Sequence, residues 1–172
     1  MKSFLMKIFG KDGIEYTEKS KSQPLPTKLI LENLTEQEVG YITNNIGLAG
    51  ELIKDLRIEN QNHIFHPHAL GQAIQAWFDN DLENRFGIDV DMYSSALAAA
   101  WGNFLNEKLN MEWYVITDEF GTEIGLYHKN NDTTIFPFNS TVKAFNNRDF
   151  GLLSIITERA ADVIGRNIST MP

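Results

Sequence analysis

The sequence predicts a single α+β domain in which helices cover one face of a small antiparallel sheet. Apolar residues recur at helical spacing up to about residue 108, give way to β-branched and aromatic runs between 111 and 136, and return to helical spacing after 150. Helices, then strands, then helices again is the segregated order of an α+β fold, not the alternation of a parallel one. The 172 residues, 42% of them hydrophobic and 11% aromatic, match one ordinary domain with enough apolar mass to fill a core.

Residues 1–27 read as an appendage, and residues 28–172 as the domain proper. Phe4, Leu5, Ile8 and Phe9 share one helical face, but the same stretch also fits the first arm of a hairpin that turns through 10–13 into 14–17. The polar, proline-bearing KSKSQPLPT that follows reads as a linker. The apolar face of 1–9 is expected to dock on the domain, because lipid surfaces prefer longer and more basic helices.

The first helix of the domain is predicted over about 36–57, opened by the capping box of Thr35 and Glu38. Its apolar stripe is Val39, Ile42, Ile46, Ala49, Ile53 and Leu56. A second helix, about 68–82, follows Pro67 and lines one side with Leu70, Ile74, Trp77 and Phe78. The third, about 90–108, carries Tyr93, Leu97, Ala100, Trp101, Phe104 and Leu105. Its small residues, SSALAAAWG, let other backbones approach closely, so it is expected to be the central helix.

The period then shortens. Residues 111–117 and 122–128 read as a hairpin turning at DEFG, and a second turn at 130–132 leads into a third strand at 133–136. Together they make a three-stranded meander over about 111–136, ended by Pro137, which has no N–H to donate. A short helix is expected from about Ser140. The last, about 151–165, presents Leu152, Leu153, Ile156, Ala160, Val163 and Ile164.

Several functions are disfavoured by what is absent. There are no cysteines, which removes disulfides, thiolate zinc sites, iron–sulfur clusters and cysteine nucleophiles. No stretch nears the roughly 20 apolar residues that span a bilayer. The opening MKSFLMKIFGKDG, broken by Lys7, is no secretory signal, so a cytoplasmic location is expected. Acidic residues outnumber basic ones, 23 to 15, and apart from a mildly basic first 28 residues no Lys/Arg cluster suited to nucleic acid occurs. The net charge of −8 suits a basic protein partner. Neither a G-x-S-x-G elbow nor a phosphate-cradling glycine loop is present. No catalytic residue and no cofactor is assigned.

Three groups of residues are candidates for a site. His63, His66 and His68 fall in NHIFHPHA, and imidazoles at that density can hold zinc, nickel or copper, which would suit a metal-dependent hydrolase. The spacing lacks the helical H-E-x-x-H arrangement, and a surface loop followed by a proline-led helix start is the simpler reading. Asp79, Asp81, Glu83, Asp89 and Asp91 form an acidic segment that opens like a calcium loop. It then fails at the sixth and twelfth positions, Asn84 and Val90, and Asp89 is expected as a helix cap. Tyr114 and Tyr127, with Phe138, are candidates for an aromatic interface patch, since one of the neighbours Trp113 and Tyr114 must face outward from a strand.

From about residue 30 to 165 the chain resembles a family of small uncharacterised bacterial proteins classed as a domain of unknown function. The resemblance is carried by RFGIDVD, by ALAAAWGNFLNEKLNMEW, and by TTIFPFNSTVKAF with its Ile135, Phe136, Pro137, Phe138, Val142 and Lys143. Ala98 and Gly102 stand around Trp101 where that family has paired glycines. In size and acidity the chain is also similar to the immunity proteins that neutralise toxins in bacterial competition. A protein-binding role is what these likenesses imply.

Overall fold

The computed structural model describes residues 29–58 and 63–165. The predicted appendage 1–27 therefore lies outside the described residues, as does the part of the C-terminal region beyond 165.

The fold is α+β. In chain order it runs β1 (Ile30–Glu32), α1 (Glu36–Asp55), α2 (Pro67–Asp79), α3 (Leu82–Phe86), α4 (Val90–Leu109), β2 (Glu112–Asp118), β3 (Gly121–His128), β4 (Thr133–Ile135), α5 (Pro137–Asn147) and α6 (Leu152–Ile164). The sheet order is β1-β2-β3-β4, with every neighbouring pair antiparallel. It thus has four strands where the sequence predicts three. The added strand is a three-residue edge piece whose ILE gives no period to read, and its pairing of Ile30 with Thr117 and Glu32 with Val115 is set by β2.

Helix α4 is the axis of the molecule. Tyr93, Leu97, Ala100, Trp101, Phe104, Leu105 and Leu109 are buried, and so are the small residues between them. Asp89 caps its start by accepting the Met92 N–H at 2.8 Å, and Asn110 ends it in the left-handed region. The small residues let neighbours in. Gly102 gives its space to Trp113 of β2, whose ring carbon lies 2.1 Å from where a Cβ would stand. The sheet residues Ile124, Leu126 and Ile135 share the buried clusters with α4, Ile124 beside Ala98 and Ala99.

The surrounding helices are tied to α4 by specific bonds. Thr35 and Glu38 form the predicted capping box, with Thr35 N–H donating to Glu38 Oε2 at 2.7 Å. Of the predicted α1 stripe, Ile42, Ala49 and Ile53 are buried, whereas Val39 is 48% exposed at the helix start. Tyr93 donates its hydroxyl to the carbonyl of Ala73 in α2 at 2.8 Å. Trp101 donates its indole N–H to Thr157 of α6 at 2.9 Å. Helix α2 meets the α5–α6 connection at Gly71, where a Cβ would fall 2.1 Å from the carbonyl oxygen of Phe150.

Two boundaries move. The predicted second helix ends at Asp79, and the separate five-residue α3 follows it, closed by Gly87 at φ 65°. Pro137, predicted only to end a strand, is also the first residue of α5, where its missing N–H costs nothing.

Candidate functional site

The histidine segment lies between α1 and α2, and each ring has its own local task. The Nδ1 of His63 accepts the Phe65 N–H at 3.0 Å, which leaves the ring proton on Nε2, 3.0 Å from the Glu107 Oε2 of α4. Glu107 also accepts from Asn103 at 2.6 Å. Partial burial pushes the Glu107 carboxyl upward, but the hydrogen bonds from His63 and Asn103 outweigh it and hold the group below its ordinary value. His66 caps α2, its Nδ1 accepting the His68 N–H at 3.3 Å, and its ring stands edge-on to Phe104. Burial, with the nearby His68 and His63, lowers its pKa. The Nε2 of His68 lies 3.4 Å from Gln72 Nε2. Among the described residues no three His, Asp or Glu side chains stand together as ligands for a metal ion.

The acidic segment is spread over three helix ends. Asp79 accepts from Gln75 at 3.2 Å, Asp81 accepts from Asn84 at 2.7 Å, and Asp89 caps α4. Glu83 and Asp91 are exposed in the first turns of α3 and α4, where negative charge favours the helix dipole. Nearby, an open depression between α1 and α3 is lined by Lys54, Arg57 and Arg85 as well as Glu51 and Asp55. Its Arg85 is already paired with Asp55 at 2.6 Å.

The sheet carries a different kind of surface. Opposed residues of an antiparallel pair share a face, and neighbours along a strand alternate. The Trp113–Leu126 and Val115–Ile124 pairs face α4, so Glu112, Tyr114, Ile116 and Asp118 of β2 face away from it. With them on this outer face stand Glu123, Gly125 and Tyr127 of β3, Leu31 of β1 and Thr134 of β4. Among those strand residues there is no Lys, Arg or His.

The centre of the outer face is apolar. Ile116 is only 1% exposed, and both its side chain and the Phe136 ring crowd the space above Gly125, where a Cβ would lie 2.8 Å from a Phe136 ring carbon. Beside it the rings of Tyr114 and Tyr127 meet edge-to-face at 6.4 Å. Each hydroxyl is held by an acid, Tyr114 by Glu112 at 2.7 Å and Tyr127 by Asp132 at 2.9 Å. Those bonds to carboxylates raise both phenol pKa values. Glu123 is also raised, chiefly by burial and further by Asp118, against a hydrogen bond from Asn139. The hairpin tip adds Phe120, 81% exposed.

Of the predicted site residues, then, the structure brings together Tyr114 and Tyr127 and leaves Phe138 out. Phe138 is 8% exposed and packs on Tyr41 and Trp113, because α5 rolls it toward α4. Sequence reasoning missed Glu112, Asp118, Glu123 and Asp132. Their common side follows from period-two alternation once the register is known, but the register is set by the turn and not by composition.

Fold and surface together define an α+β domain with an acidic, tyrosine-bearing sheet face. Residues 79–151 match the model of a family described as a domain of unknown function (DUF3806). That stretch holds α3, α4, β2 to β4 and α5, and hence Glu112, Tyr114, Asp118, Glu123, Tyr127 and Asp132, while His63, His66 and His68 fall before it. No curated protein and no solved structure matches the chain. No described helix is long and apolar enough to cross a membrane.

Proposed function

We propose that this chain is a protein-binding module and that the outer face of the sheet takes a basic segment of its partner. The carrying observation is the make-up of that face: two tyrosines in contact, the half-buried Phe136 ring, four carboxylates at strand and turn positions, and no cation on the strands. Tyrosine supplies large contact area at small entropic cost, and its ring face attracts lysine and arginine. The carboxylates steer a basic partner and set its register more than they add affinity. A neutraliser of a basic toxin-like protein is the specific form of this reading that the chain's acidity supports.

The experiment is affinity capture from native extract with the wild type and with the Tyr114→Ala/Tyr127→Ala double variant. A near-stoichiometric basic protein on the wild type, reduced roughly tenfold or more on the variant, is the expected result. Equal capture on both would remove the sheet face from the reading, and an empty capture would remove the reading itself.

A further inference from the structure

We propose that the outer sheet face has an occupant within the same chain: residues 1–28 seat on it and compete with the partner. The proposal rests on the reading of that face as a binding surface and adds its regulation.

Charge is divided sharply along the sequence. Lys2, Lys7, Lys11, Lys19, Lys21 and Lys28 place six of the fifteen cations in the first 28 residues, against only Asp12, Glu15 and Glu18 of the 23 acids. The remainder is correspondingly acidic, and its outer sheet face carries Glu112, Asp118, Glu123 and, at the turn, Asp132. The patterns also correspond. Lys2, Lys7 and Lys11 bracket Phe4, Leu5, Ile8 and Phe9. On the face, Glu112 and Asp118 bracket the half-buried Tyr114 and Phe136, with Ile116 buried between the ends, over about 20 Å of strand.

The point of attachment favours the same pairing. The segment joins the sheet at β1, an edge strand, and the pairing of Ile30 with Thr117 puts the incoming chain at the corner that holds Asp118. From Lys11 to Ile30 the chain can reach at most about 65 Å, several times the length of the strip. A tethered segment acts at an effective concentration of order millimolar, so even a weak intrinsic affinity keeps it seated.

The test uses the full chain. First, a zero-length carbodiimide joins lysines to carboxylates in a dilute equal mixture of ¹⁴N and ¹⁵N protein, and the links are mapped by mass spectrometry. Lys2, Lys7 and Lys11 are expected to link to Glu112, Asp118, Glu123 or Asp132 within single-isotope chains. Links scattered over the other acids, or mixed-isotope links that signal a second copy, would overturn the proposal.

Second, a labelled peptide of residues 1–12 is titrated onto the wild type and onto the Lys2→Gln/Lys7→Gln/Lys11→Gln variant, which keeps every described residue. Binding about tenfold tighter to the variant is expected, because the variant's own segment no longer competes for the face. Equal binding to both would mean the face is free in the wild type, sinking self-occupancy while leaving the face as a basic-segment site. Binding to neither, with partner capture still dependent on Tyr114 and Tyr127, would sink the self-occupancy alone. Co-sedimentation of the wild type, but not the variant, with anionic phosphatidylserine vesicles in place of face links would assign the segment to membranes instead.

Discussion

His66 starts helix α2 with a ring that can both cap and titrate. Its Nδ1 must be unprotonated to accept the His68 N–H, and its lowered pKa comes from burial and from two neighbouring histidines. A histidine with a depressed folded-state pKa adds stability above its unfolded value of about 6.5, and that contribution is lost as pH falls through the folded value. Below it the ring carries a proton where the cap needs a lone pair. Replacing it by asparagine keeps a capping acceptor and removes the titration. The urea midpoint of wild type is therefore expected to fall more steeply between pH 7 and 5 than that of His66→Asn, and parallel curves would refute the assignment. Only the helix start behind this histidine was readable in advance, from Pro67. Its separation from His63 and His68 depended on Phe65, Gln72 and Glu107, the last of them far from it in sequence.

Among the elements, α4 and α6 are joined through one buried polar bond. Thr157 accepts from Trp101 and donates to the Leu153 carbonyl at 2.7 Å, so its hydroxyl is fully engaged. Thr157→Val preserves shape but leaves the indole N–H unpaired in the core, which costs about 1–3 kcal/mol. Chemical denaturation should show that loss with an unchanged m-value; a loss under about 0.5 kcal/mol would mean that the indole finds another acceptor. The helices were legible because period and caps are local: Thr35, Glu38 and Asp89 each act within three residues. The edge strand β1 was not, since three residues carry no pattern and their pairing comes from β2, about 85 residues on. The outer face was half legible. Alternation identified Tyr114 as a residue to watch, but only the register with β3 set Tyr127 beside it and Phe138 on the other side.

For the whole molecule, the family stretch and the packed core do not coincide. Residues 79–151 begin at the end of α2 and stop just before α6, so they omit α1, nearly all of α2 and the whole of α6. Yet Ala49, Leu52, Ile53, Leu70, Ile74, Leu153 and Ala160 belong to the same buried cluster as Trp101 and Phe104. The hydroxyl of Tyr93 and the indole of Trp101 both find their partners, Ala73 and Thr157, outside the matched stretch. A fragment of residues 79–151 should therefore show helical far-ultraviolet dichroism without a cooperative thermal transition, and should bind hydrophobic dye; a sharp melt would refute this. The stretch that matches the family model is in this chain only the middle of what must fold as one piece. In this chain the flanking helices shield the sides of the central helix, so the matched stretch cut free of them would have to borrow a shield from another protein.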